Sequence, residues 1–258
     1  MKPQRGSKIL VFYALAREMK GLKRRLAARR RIASDGLSGF AGRLDSVELI
    51  LLATGVGGMR ARQCARRAFS VYRDAELALS CGLAGALSEG LSAGDLVLAD
   101  HLLLGGKEDN FPDHILEPPR HQLEIAERAL RGAGLTFATG ALLTASRVLD
   151  GAVAKRAAKA QSGAVAVDME SAVIGLEAAA HGVPFVCVRA VFDEIDDPVP
   201  SGMTDDFGHV RASAAMGFVW KNPGFLLGVP RLVRNLSKAV RSIADAVEAI
   251  GRAASAGE

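Results

Sequence analysis

Apolar runs closed by glycine, proline or an acid alternate along this chain with stretches rich in alanine and basic residues. Lys8–Ala14 is apolar after its first lysine, which predicts a strand buried on both faces and hence central and parallel. Ala16 to Arg31 is rich in Ala, Leu, Arg and Lys and predicts a basic helix, with Glu18 as the lone acid of its first turn. Ser34–Gly42 reads as a turn. Val47–Ala53 is a second apolar strand, running into Thr54-Gly55-Val56-Gly57-Gly58 and an Arg/Ala-rich helix to about Tyr72. Glu76–Ser80 predicts a third strand with a small-residue turn over Cys81–Ala86, and Asp95–Asp100 predicts a fourth. His101–Pro119 reads as a loop holding or flanking His101, His114 and His121 without metal spacing, and Gln122–Arg131 as a helix. Gly140–Thr144 is strand-like, Ala145–Asp150 a turn and Ala152–Gln161 a helix.

The stretch Ala164–Asp197 organises the rest. Ala164–Val167 is a short buried run ending in Asp168, Met169 and Glu170; a helix follows to about His181, stopped by Gly182 and Pro184. Phe185–Val191 is a second buried run whose end meets Asp193, Glu194, Asp196 and Asp197. Carboxylates therefore gather at two strand ends, and in α/β sheets ligands bind outside the carboxyl ends of strands. Repeated strand–helix alternation, with no internal repeat and no linker, predicts one α/β domain over residues 1–258.

Composition narrows the function classes. Aromatics are only 5% of the chain, which argues against a base-stacking nucleic-acid binder. The three cysteines are far apart and lack Cys/His zinc spacing, so neither a disulfide framework nor a metal site is expected, and the setting predicted is the reducing cytoplasm. The net charge of +5 is compatible with nucleic acid, phosphate or an anionic membrane and does not choose among them. The basic segment from Lys20 to Arg31 reads either as a solvated face or as a patch for peripheral contact at the inner membrane surface. The T-G-V-G-G turn exposes backbone N–H groups suited to an anion or a ribose oxygen, but it lacks the third glycine and ribose-binding acid of a dinucleotide fingerprint; a plain tight turn is an equal reading. Near the C-terminus, Ala214–Val233 is an apolar run broken by Lys221, Pro223 and Pro230, followed by an amphipathic helix near Asn235–Arg252. The run is no spanning segment; it reads as packing on the sheet or a dimer interface, or as a wall for a lipid-like group or a shallow membrane anchor.

Four motifs in order carry a resemblance: FYALARE ending the first strand, TGVGG, SCGLAGAL, and VDMES followed by VRAVFD. Over roughly Lys8 to Phe207 the chain resembles the nucleoside phosphorylase/nucleosidase superfamily, nearest to the methylthioadenosine/adenosylhomocysteine nucleosidases. The resemblance implies a single-domain, three-layer α/β/α fold with a central mixed twisted sheet and cleavage of an N-glycosidic bond, with no cofactor. It implies that Asp193 is the acid at N7 of a leaving purine, that Glu18 activates the attacking water, and that Glu170 binds the ribose hydroxyls with Met169 packed on the sugar. Val148 and Leu149 would line the adenine pocket, Ser80 and Gly82 would lie on the substrate-binding turn, and Arg189 would support the site. Two departures stand out. Leu83 replaces a serine that helps position the N7 acid, and Leu77 replaces the phosphate-binding arginine of the hexameric purine phosphorylases. With Glu18 present, hydrolysis is favoured over phosphorolysis, in which phosphate would be co-substrate. The ALARE opening and the apolar tail from about residue 208 look similar to the hopanoid-associated branch, which acts on adenosylhopane. A small-molecule or lipid-linked nucleoside is therefore the expected partner, no nucleic acid is expected, and a homodimer is the default assembly.

Overall fold

The computed structural model describes residues 7–106, 116–197 and 225–256. Among the described residues, nine strands form one mixed sheet: β1 (Lys8–Tyr13), β2 (Ala27–Ser34), β3 (Leu37–Leu44), β4 (Val47–Ala53), β5 (Leu77–Ala86), β6 (Leu96–Leu104), β7 (Phe137–Thr144), β8 (Ala166–Asp168) and β9 (Phe185–Asp193). The helices of the described residues are α1 (Lys20–Arg25), α2 (Gly58–Val71), α3 (Arg120–Gly132), α4 (Gly151–Ser162), α5 (Ser171–Ala180) and α6 (Phe225–Ala256). The sheet order is β2-β3-β4-β1-β5-β8-β7-β6-β9, and β9 also pairs with β5. One half is thus an open sheet. In the other half, β5, β8, β7, β6 and β9 close into a ring.

Alternation along β1 explains the layers. Ile9, Val11 and Tyr13 pack with Leu22 and Leu26 of the α1 segment, Ala126 and Leu130 of α3, and Ile243 and Val247 of α6. Leu10 and Phe12 point the other way, onto Ala61, Ala65 and Phe69 of α2 and Ala172 and Ile174 of α5. Successive side chains of a strand face opposite sides, so a strand covered on both must be apolar throughout. The expected three-layer α/β/α architecture with a mixed sheet is the one observed.

Several local expectations are corrected. The basic helix is only six residues long, Lys20–Arg25; Arg29, Arg30 and Arg31 lie on β2, an exposed edge strand. Local propensity favours helix here, but pairing with β3 through a tight turn at Asp35 and Gly36, both at positive φ, prevails and buries Ile32. Arginines on such an edge discourage further strand pairing. The basic run therefore does not form one continuous helical patch for membrane contact. The small-residue stretch Cys81–Ala86 is not a turn but the continuation of β5. His101 stands in β6 and His121 in α3 rather than in a loop, and His114 lies outside the described residues. At the C-terminus, α6 begins at Phe225 rather than near Asn235 and runs through Pro230, whereas residues 214–224 of the apolar run lie outside the described residues. Among the described residues, no helix is long and apolar enough to cross a membrane.

Candidate active site

A cavity of about 230 Å3 opens where the carboxyl ends of β1, β8 and β9 meet. Its walls include Glu18, Met169, Glu170 and Asp193, together with Val148 and Leu149 from the loop between β7 and α4. Six of the eight residues singled out from the sequence thus converge on one space. A larger groove of about 770 Å3 lies against α2 and β3, lined by Arg60, Arg66, Arg67 and neutral residues, and its lining includes no carboxylate.

Glu18 is set by the loop after β1 rather than by a helix N-terminus, since α1 starts two residues later. Its carboxylate folds back to accept the Leu15 N–H at 2.8 Å and, from β5, the Leu83 N–H at 3.2 Å. Burial raises its pKa, against those two N–H groups and the positive charge of Arg189. A carboxylate held this way is poised to take up a proton.

Glu170 closes the opposite wall, and the glycine-rich turn serves it. Gly57, at φ +99°, donates its N–H to Glu170 Oε1 at 2.7 Å. The anion at this helix start is the protein's own side chain. Burial, then the neighbouring charge of Asp168, pushes the Glu170 carboxyl up to about 7.

Behind this wall lies a buried polar network. Asp168 Oδ2 pairs with Arg189 Nη2 at 2.7 Å and accepts the Ser171 N–H at 3.0 Å, while Asp168 Oδ1 accepts the Thr144 hydroxyl at 2.7 Å. Thr144 Oγ1 in turn accepts the Ala172 N–H, so two orphan donors at the start of α5 are satisfied by β8 and β7. Arg189 also reaches Ser80 Oγ at 2.8 Å and Ser171 Oγ at 2.7 Å.

This network corrects two placements. Ser80 is fully buried behind the cavity and bonded to Arg189, so it does not line the space. Gly82 is not a wall residue either. It stands in register opposite Arg189, at φ +151°, and a Cβ there would collide with the guanidinium and come within 3.0 Å of Glu18 Oε1. Farther along the same ladder, Gly85 stands opposite Asp193, where a Cβ would lie 3.0 Å from Oδ2. Two glycines of β5 thus make room for two side chains of β9.

Asp193 ends β9, 6% exposed. Burial pushes its carboxyl up to about 6, against the pull of the Lys155 ammonium, which pairs with Oδ2. Lys155, from α4, escaped sequence reading: in an Ala/Lys/Arg helix it has the pattern of a solvated charge, yet it is 1% exposed. Asp196 and Asp197, in the turn after β9, pair with Arg156 and Arg231 respectively.

Residues 8–220 match the phosphorylase superfamily. The chain belongs to that superfamily. Among its relatives, the 5'-methylthioadenosine/S-adenosylhomocysteine nucleosidase of Chromohalobacter salexigens is 26% identical over 198 residues, 72% of this chain and 84% of that protein. The Geobacillus thermodenitrificans nucleosidase of the same name is 27% identical over 201 residues, again 72% and 84%. In fold the chain is similar to the Neisseria meningitidis 5'-methylthioadenosine/S-adenosylhomocysteine nucleosidase in complex with methylthio-immucillin-A. That match has a TM-score of 0.73 at 20% identity and covers 95% of this chain and 98% of the other. A Helicobacter pylori futalosine hydrolase mutant matches with a TM-score of 0.74 at 16% identity, over 95% and 98%. The superfamily match agrees with the motifs, and the structural likeness with the α/β architecture.

Proposed function

We propose that this protein is an N-glycosyl hydrolase of 5'-substituted adenosines. The observation that carries the reading is the convergence of three buried carboxyl groups with raised proton affinity, Glu18, Glu170 and Asp193, on one small cavity. Groups of this kind in a cleft are what acid–base chemistry needs near neutral pH.

In the proposed reaction the bond between the anomeric carbon and N9 breaks, and its electron pair passes into the purine. Asp193 gives its proton to N7, so the base leaves neutral. Water adds to the anomeric carbon and Glu18 takes the water's proton. Glu170 holds the ribose hydroxyls, with bonds that strengthen as the sugar becomes oxocarbenium-like. Met169 packs on the sugar, and Val148 and Leu149 flank the adenine. Ser80 is bonded to Arg189 and Ser171 behind the cavity and so is not offered to a phosphate, which favours water as the nucleophile.

The finer reading is that the substrate is adenosylhopane, handled by one domain working as a dimer, at or near the inner membrane surface. Its support is the apolar tail together with the start of α6, where Arg231 bonds Glu194 at 3.0 Å and Asp197 at 3.1 Å in the turn just after Asp193. These bonds hold α6, the helix that continues the apolar run, against the turn that follows the proposed acid. The test is to incubate the protein with adenosylhopane and with methylthioadenosine, with and without phosphate, and to measure adenine. Phosphate-independent release, faster with the lipid-linked substrate, is expected. A strict phosphate requirement would overturn hydrolysis, and a preference for methylthioadenosine would overturn the lipid assignment.

A further inference from the structure

Lys155 is an expensive residue to bury, because desolvating an ammonium costs several kcal/mol unless its partners are well placed. An ammonium has three N–H donors, and three oxygens receive them here. They are Asp193 Oδ2, the Glu194 carbonyl at 2.6 Å and the Asp197 carbonyl at 3.2 Å. Both carbonyls belong to the segment immediately following Asp193, so one side chain from α4 ties down the acid and its C-terminal flank together. Position 83, where the nucleosidases that this chain resembles carry a serine that helps position the acid, is Leu83, which offers no side-chain donor.

We infer that Lys155 is the positioning residue of the acid. It fixes Asp193 through Oδ2 so that Oδ1 is presented to the purine N7, and it limits how tightly Asp193 holds its proton. This inference rests on the nucleosidase reading. Burial alone would drive the Asp193 carboxyl higher than it stands, and an acid that holds its proton too tightly is a poor donor; the adjacent ammonium opposes that rise. The other charges around Asp193 are balanced by partners that do not involve Lys155. Glu194 and Asp197 pair with Arg231 of α6, and Asp168, which also lines the cavity, pairs with Arg189. Glu18 and Glu170 face the same space and take backbone N–H groups. A change at Lys155 therefore reports on Asp193.

The test uses the full chain with two substrates that share a 5'-methylthioribosyl group: methylthioadenosine, whose base must be protonated to leave, and the p-nitrophenyl riboside, whose phenolate leaves unaided. Lys155→Met is expected to lower kcat for adenine release by about 30-fold or more while changing nitrophenol release by less than about threefold, because only the first needs a general acid. Activity falls on the alkaline side as Asp193 loses its proton. Removing the ammonium raises the proton affinity of Asp193, so in Lys155→Met this limb should move to higher pH. Lys155→Arg keeps a cation and should keep the limb near its wild-type position. Equal losses on both substrates, an unmoved limb in Lys155→Met, or failure of both variants to fold would each reduce Lys155 to a structural residue and overturn the inference. If the wild-type protein releases no adenine at all, it is the nucleosidase reading that fails.

Discussion

Arg189→Met is expected to cost the fold about 3–5 kcal/mol, the usual effect of removing one partner of a buried ion pair. Arg189 is 1% exposed and Asp168 5%, and their contact is 2.7 Å. Methionine preserves most of the side chain's length and removes all of its donors. Asp168 then keeps the Thr144 hydroxyl and the Ser171 N–H but loses its cation, while Ser80 and Ser171 lose the guanidinium as well. Against a typical total stability of about 5–15 kcal/mol, that is a large share. Asp168→Asn in the same background removes the stranded charge at the expense of one mispaired hydrogen bond. The double variant should therefore recover part of the loss, with a coupling energy of about 1–3 kcal/mol. The assay is urea denaturation followed by circular dichroism, with all variants at one protein concentration so that any assembly equilibrium is held constant. A single variant within about 1 kcal/mol of wild type, or strictly additive losses in the double variant, would refute the claim that this pair is a mutually dependent buried unit.

Asp193→Asn should lower adenine release by about 100-fold or more, because an amide cannot donate the proton, and should also lower the thermal midpoint, because the buried Lys155 ammonium loses its counter-charge; full activity in this variant would reassign the acid. Glu18→Gln should abolish hydrolysis and leave any phosphate-dependent turnover, since phosphate attacks without a base for water; parallel loss of both reactions would contradict that role. Glu170 and Asp193 are pushed up to about 7 and about 6 from the ordinary carboxylate values of 4.5 and 3.8, so the native state binds their protons more tightly than the unfolded chain does. The stability this contributes is fully present below about pH 4 and is lost as pH rises through 6 and 7, so the urea midpoint should fall between about pH 5 and pH 8, and less steeply in Glu170→Gln. A midpoint slope unaffected by that substitution would refute the assignment.

Much of the site was legible because its chemistry sits at ends of apolar runs. Glu18, Glu170 and Asp193 each follow a strand that the hydrophobic pattern marks, and a carboxylate at such an end is conspicuous. Lys155 had no such signal: its neighbours Arg156 and Lys159 are ordinary helix-surface residues, and only packing shows that one charge of the three is buried. Ser80 and Gly82 were misread for the complementary reason. Small residues near a motif look like ligand contacts, whereas here they accommodate Arg189 and Glu18.

By itself the sequence determined which strands are covered on both faces and which carboxylates stand at strand ends, because burial on two faces demands unbroken apolar runs and an acid that closes such a run is marked by the pattern. Tertiary structure alone decided three things. Ala27–Ser34 became an edge strand despite its helical composition, since pairing with β3 outweighs local preference. β9 closed a ring by pairing with both β5 and β6, a contact no local pattern encodes. Asp193 acquired its buried cation from a helix 38 residues away in the chain, because the strength of a charge pair is set by where the folded backbone leaves the two groups and how much water it removes from them.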